Sequence, residues 1–325
     1  MDTSLIPARV CFASRGHARV LIGGREWDAL LTGHLEFLAA GPAGLPVTGD
    51  HVMVRPIDAA TVIIEQLSPR RTALSRRAAG TRQEEQVLAA NVDLAFLVTG
   101  LDGDFNTRRM ERYLALAHEG GVEPVLILNK DDACPVLAER LAEARSVAAG
   151  APVLPVSALT GAGCEALEAL LAPGVTAVLL GSSGAGKSTL LNRLIGDEAH
   201  ATGPVRLSDS RGRHTTSHRE LIPLANGAFL IDSPGLREVQ LWVGRAALSA
   251  VFDEIAAWAS ECRFADCSHT CEPGCAVREH ASPERLASFH KLTREAARHE
   301  ETRSEKARWR AIHKAQKQIY KWRGH

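Results

Sequence analysis

Gly181-Ser-Ser-Gly-Ala-Gly-Lys187-Ser188 follows directly on the apolar run Val175 to Leu180 and opens a helical stretch that begins at Lys187. A glycine turn between a buried strand and a helix N-terminus lets backbone N–H groups face one point, where the helix dipole favours negative charge. The surrounding residues read as the rest of an α/β sheet. Val92 to Val98, Pro124 to Leu128 and Val153 to Val156 are short apolar runs. They alternate with helical stretches at Asn106 to His118, Val136 to Arg145 and Cys164 to Leu171. That alternation predicts a mostly parallel sheet with helices on both faces. Arg219 to Leu224 and Ala228 to Ile231 add two further strands after a polar loop.

The glycine loop fits the phosphates of a nucleotide. Gly181, Ser182, Ser183, Gly184, Ala185 and Gly186 supply the cradle, with Thr189 just beyond it. Lys187 is expected at the β- and γ-phosphates and Ser188 at Mg²⁺. The base is read elsewhere, by Asn129-Lys-Asp-Asp132 after the strand 124–128. The Asp132 carboxylate can accept from guanine N1–H and the exocyclic amine, a donor pair adenine lacks. Asn129 is expected to brace the loop and Lys130 to lay its stem along the ring. Ser157 and Ala158 follow another strand and are expected to face the guanine oxygen. Asp232 ends a further strand, where it can hold Mg²⁺ through water, and Gly235 can offer its N–H to the γ-phosphate.

Every one of these segments lies at a strand end, where ligands of open α/β sheets bind. Their chain order is base half first, phosphate half second, the reverse of the common arrangement. Between them, 208–218 reads as a segment the γ-phosphate could order. It carries Thr215 and Thr216, of which Thr215 is the preferred Mg²⁺ ligand. Leu236 follows Gly235 where a glutamine would orient water. His214 either takes over that task or is only a loop residue.

Seven cysteines are an odd number, and four of them fall between 262 and 275. Cys262, Cys267, His269 and Cys275 form a set suited to tetrahedral Zn²⁺, read as structural, with Cys271 spare or able to substitute. The first 70 residues predict four or five short strands in a small barrel or sandwich. Arg70, Arg71, Arg76, Arg77 and Arg82 read as a basic linker.

The 38 basic residues are matched by 38 acidic ones, so no global charge draws the chain to nucleic acid. From Arg285 onward, however, there are 12 Lys or Arg and 4 Glu, and from Lys306 seven basic residues and no acid. That tail can contact phosphate or be a solvated helix. There is no 18-residue apolar run and no basic-then-apolar leader, which predicts neither a membrane span nor secretion.

Taken together, the chain resembles the circularly permuted GTPases of the RsgA/YjeQ family. The likeness rests on Gly49-Asp50, Pro69 to Arg76, Gln86 to Asp93, Phe105-Asn106 and Arg112-Tyr113-Leu114. It continues through Leu128 to Asp132, Gly181 to Thr189, Gly212 to Thr216, Ile231 to Gly235, Cys262 to His269 and Glu272 to Cys275. The resemblance implies an OB-fold barrel over 1–72, a permuted α/β P-loop GTPase domain over 73–240 and a mostly helical zinc-binding domain over 241–325.

It further implies a cytoplasmic, monomeric enzyme using GTP/GDP, Mg²⁺ and one Zn²⁺. Such an enzyme acts on the immature 30S ribosomal subunit and its 16S rRNA, and hydrolysis drives its release. His214 matches a histidine proposed to act in hydrolysis. Ser233 and Cys271 stand where the family commonly has Thr and His. Alternatives are a permuted GTPase with another RNA target, or an ATP-dependent phosphotransferase. The 26 residues between Gly235 and Cys262 are expected to carry changes at the phosphate half into the zinc module.

Overall fold

The computed structural model describes residues 5–14, 16–39, 41–77, 84–196, 219–233 and 242–298. His214, Thr215, Thr216, Gly235, Arg82 and the basic tail from Lys306 lie outside the described residues.

The N-terminal strands are β1 (Ile6–Ser14), β2 (His17–Ile22), β3 (Arg25–Leu31), β4 (His51–Pro56) and β5 (Thr61–Leu67). They pair in the order β1-β2-β3-β5-β4, and β1 pairs again with β4 to close the ring. Only β3 and β5 run parallel, and helix α1 (Gly33–Leu38) spans from β3 toward β4, giving an OB-fold barrel. Alternation fills it: Val10, Val20, Val52, Val54, Val62 and Ile64 point inward and are buried.

The segment expected to be a basic linker instead contains a hairpin, β6 (Ala73–Arg77) with β7 (Glu85–Ala90). Three of its arginines are not free, Arg76 donating to Gln86 at 3.1 Å. Arg70 forks onto both oxygens of the fully buried Asp50 at 2.8 Å and donates to Ala43 O and Leu45 O. Arg71 pairs with Asp93 at 2.7 Å. Arg70 and Arg71 tie the barrel and its neighbour to the hairpin.

The central sheet uses β8 (Leu94–Gly100), β9 (Glu123–Asn129), β10 (Val153–Val156), β11 (Thr176–Gly181), β12 (Glu220–Pro223) and β13 (Phe229–Asp232). Its order is β10-β9-β8-β11-β13-β12, parallel except for β12. β8 and β11, buried at every residue, carry continuous apolar runs because helices cover both faces. One face takes α2 (Thr107–Glu119) and α3 (Leu137–Val147). The other takes α4 (Cys164–Leu170) and α5 (Lys187–Ile195). Asn106 caps α2 by accepting from Arg109 N, and Met110, Leu114 and Ala117 face the core as the spacing predicts. Strand β12 also meets β1 at Phe12 and Glu220, so the barrel extends the sheet.

After residue 242 come α6 (Arg245–Val251), α7 (Asp253–Ala259), α8 (Ala276–His280) and α9 (283–298). Helices α6 and α7 are separated at Phe252. Its backbone leaves the helical region (φ −121°, ψ 44°), and its buried ring packs against Phe289 at 5.4 Å.

This part docks on α2. Arg285 reaches Glu111 at 2.6 Å, Ser288 also donates to Glu111, and Arg112 forks onto Glu295 at 2.8 and 2.9 Å. Glu119 accepts from Gly244 N at 2.9 Å. The C-terminal part is therefore held against α2, the helix that follows β8. No helix among the described residues is long and apolar enough to cross a membrane.

Candidate nucleotide site and Cys/His cluster

Strands β8, β9, β10, β11 and β13 end at one edge of the sheet, and the loops leaving that edge carry the expected segments. Asn129 ends β9 and is buried. Its Nδ2 donates to Ala185 O and its Oδ1 accepts from Ala158 N, both at 2.9 Å. One side chain thus joins the 129–132 segment, the 157–158 loop and the glycine loop. Gly186 is in the left-handed region (φ +91°), and a Cβ there would lie 2.1 Å from Asn129 Nδ2. Glycine is required at that position by backbone and by space together.

Lys130 turns the chain with φ +71°, and its ammonium bonds Gly184 O at 2.7 Å and Asp102 at 2.5 Å. That bond from Lys130 holds the Asp102 carboxyl below its ordinary range. Asp132 sits in the following turn, exposed, with no partner among the described residues. A carboxylate left free at this edge can accept from a ligand's paired donors.

Ser157 shapes its own loop. Its N–H donates to Ala162 O and its hydroxyl accepts from Thr160 N. Arg193 of α5 donates to Leu159 O at 2.9 Å, holding the loop against the phosphate helix. Leu159 itself is 73% exposed, an unusual state for a large apolar side chain. Sequence reasoning missed Leu159 and Arg193. The signal available was an apolar residue just beyond the Ser157-Ala158 pair, at a strand end.

In the glycine loop, Ser183, Gly184, Ser188 and Thr189 are exposed or open, whereas Ser182, Ala185 and Lys187 are buried. Lys187 donates to Gly181 O at 3.0 Å and Ser182 O at 2.6 Å. Burial lowers its pKa, and the charges of Asp232 and Asp104 oppose that shift. Asp232 is pushed up by burial and held back by Lys187. A half-hidden carboxylate of this kind is a fitting cation ligand. Next to it, Ser233 is buried with its hydroxyl donating to Leu179 O at 2.8 Å, so serine satisfies a position where the family commonly has threonine.

The second cluster lies between α7 and α8. The ligand atoms of Cys262, Cys267, His269 and Cys275 all lie within 4.8 Å of one another. His269 Nδ1 is 3.6 Å from Cys262 Sγ and 3.5 Å from Cys275 Sγ, and the two sulfurs are 3.9 Å apart. A tetrahedron built on metal–sulfur bonds of about 2.3 Å has edges of about 3.7 Å, so the set fits a zinc-sized ion. Cys271 is exposed, outside this set, and contacts Thr270. The carboxylate of Glu272 takes the N–H groups of Ser268, Thr270 and Cys271, and so folds the turn that presents His269 (φ +59°).

Comparison with known proteins agrees with this geometry. The model of the RsgA GTPase family matches residues 67–242. The small ribosomal subunit biogenesis GTPase RsgA of Opitutus terrae is 48% identical, over 97% of this chain and 91% of that one. RsgA 2 of Lactiplantibacillus plantarum is 43% identical, over 90% and 84%. Among solved structures, YjeQ from Thermotoga maritima superposes with a TM-score of 0.66 at 24% identity, covering 90% of this chain and 99% of that one. YloQ, described as a circularly permuted GTPase, gives 0.60 at 21%, with 90% and 96% covered. At these identities the two structures speak for the fold alone.

Proposed function

The chain belongs to the RsgA GTPase family, and from that premise we propose that it hydrolyses GTP on the immature 30S ribosomal subunit, coupling hydrolysis to late maturation and to its own release. The observation that carries the nucleotide part is the pair of bonds from Asn129 to Ala185 and Ala158, with the free Asp132 carboxylate in the same loop. Adenine lacks the adjacent N1–H and amine donors that this carboxylate can take, so guanine is the base.

In this reading Asp132 accepts from guanine N1–H and the amine. The Lys130 stem and Leu159 flank the ring, and the 157–158 loop faces the guanine oxygen. The N–H groups of 181–188 surround the phosphates and Lys187 neutralises them. Ser188, Thr215 and Asp232 are the residues that would hold Mg²⁺, which when bound spreads the charge of the β- and γ-oxygens. Water attacks the γ-phosphorus, the bond to the bridging oxygen breaks, and GDP and phosphate leave. Gly235 N–H supports the γ-phosphate. With Leu236 in place of a glutamine, His214 is the residue that orients the water.

Cys262, Cys267, His269 and Cys275 hold one structural Zn²⁺ that organises a turn with too few apolar residues to fold by itself. The barrel and the basic tail beyond Lys306 supply the contacts to 16S rRNA. The chain acts as a monomer in the cytoplasm. Co-sedimentation with purified immature 30S subunits tests the coupling. Retention with a non-hydrolysable GTP analogue and loss with GDP is expected. Equal retention in both states, or none, would contradict it.

A further inference from the structure

The loop after β8 brings a third group of residues to the glycine loop, and no sequence motif announced it. Asp104, whose side chain is 18% exposed, accepts from the Ser182 hydroxyl and pairs with Arg109 of α2 at 2.8 Å. Arg109 also donates to Asp104 O, and Asp104 N–H is fixed by Asp102 Oδ1 at 3.0 Å. Asp102 in turn bonds Lys130, which reaches Gly184 O. The segment 102–104 thus grips the glycine loop at two points, Ser182 and Gly184.

Ser182 is 5% exposed. Its hydroxyl needs a partner, and among the described residues that partner is Asp104. Its carbonyl is one of the two oxygens that hold the Lys187 ammonium. Asp104, Ser182 and Lys187 therefore form a connected series in which the first residue fixes where the last one rests. The carboxylate also lies within electrostatic reach of Lys187, opposing the cost of burying that ammonium.

We propose that Asp104 is a positioning residue for nucleotide binding: through the Ser182 hydroxyl and the Arg109 pair it sets the glycine loop so that Lys187 is presented to the phosphates. This rests on the reading of 181–188 as the phosphate cradle. The role is one of hydrogen bonding and placement, so it predicts a loss in nucleotide affinity with little change in the chemical step.

The full-length chain is titrated with a fluorescent GDP derivative, and GTP turnover is measured in parallel. Lys187→Ala tests the cradle itself, and retained tight binding in that variant would overturn the underlying reading. With that control lost as expected, Asp104→Ala weakens GDP binding by about tenfold, the size of one lost hydrogen bond to a charged group. It raises KM similarly and leaves kcat within about twofold. Asp104→Asn keeps an acceptor for Ser182 but not the charge paired with Arg109, and recovers part of the loss. Ser182→Ala combined with Asp104→Ala is no worse than Asp104→Ala alone, because both remove the same bond. Unchanged affinity in Asp104→Ala, failure of Asn to rescue, or additive losses in the double variant would each overturn the proposal.

Discussion

Asn129 and Ala185 lie 56 positions apart and are joined by a 2.9 Å bond from the asparagine amide to the alanine carbonyl. That bond connects the end of β9 to the glycine loop after β11, strands that are not neighbours in the sheet. The same side chain takes the N–H of Ala158. Chain order is immaterial to such a junction, because loops at one sheet edge meet wherever they fall in the sequence.

Asn129→Ala removes the partners of two buried backbone groups at once. Each unsatisfied group costs about 1–3 kcal/mol. GDP affinity falls by roughly 10- to 100-fold in calorimetric titration, and the thermal midpoint falls with it because Asn129, Ala158 and Ala185 are all buried. Unchanged affinity would mean the three segments are held by something else.

Asp132→Asn tests base selection. The amide presents one donor and one acceptor in place of two acceptor oxygens, and xanthine carries a carbonyl where guanine carries its amine. GTP binding falls by about 100-fold or more, and the variant prefers XTP to GTP. Competition between the two nucleotides reads this directly. A variant that still prefers GTP would remove Asp132 from base recognition.

How far these residues could be read beforehand depended on how local their signals were. The strand-to-glycine-loop-to-helix sequence at 175–194 predicts β11 and α5 closely, since buried strand, turn and helix start all lie within one window. The barrel was legible as short strands, but its closure through β1 and β4 was not, because it joins residues some 40 positions apart. The arginines from 70 to 77 read as a linker by charge alone. Asp50 and Asp93, the carboxylate partners of Arg70 and Arg71, lie about 20 positions away, so that pairing was invisible. Asp104 was missed for a similar reason: a single carboxylate after a strand has no signature until Ser182 is seen beside it.

Asp50→Ala probes the junction of barrel and hairpin. Asp50 is completely buried and Arg70 is 16% exposed at the side chain, so removing the carboxylate strands a guanidinium whose remaining partners are two carbonyls. Loss of one partner of a buried pair costs about 3–5 kcal/mol. Urea unfolding followed by circular dichroism reports it as a lower midpoint for the barrel-containing transition. A change below about 1 kcal/mol would place the pair among exposed ones of little consequence.

Cys275→Ser removes a ligand atom of the Cys/His cluster. The wild-type chain carries about one zinc per molecule in elemental analysis, as expected of a four-ligand structural site. The variant carries far less, and chelation of the wild type loosens the 262–275 turn in proteolysis while GDP binding persists. A zinc content unaffected by the substitution would remove the cluster as the metal site.

The central claim is that this is a guanine-nucleotide hydrolase whose activity is set by the small ribosomal subunit. Phosphate release from GTP, measured with and without a stoichiometric amount of purified 30S subunits, tests it most directly. Slow turnover alone, a rise of at least about tenfold on adding 30S and none on adding 50S is the predicted result. Turnover that 30S subunits leave unchanged would contradict the account, and turnover of ATP in preference to GTP would contradict its foundation.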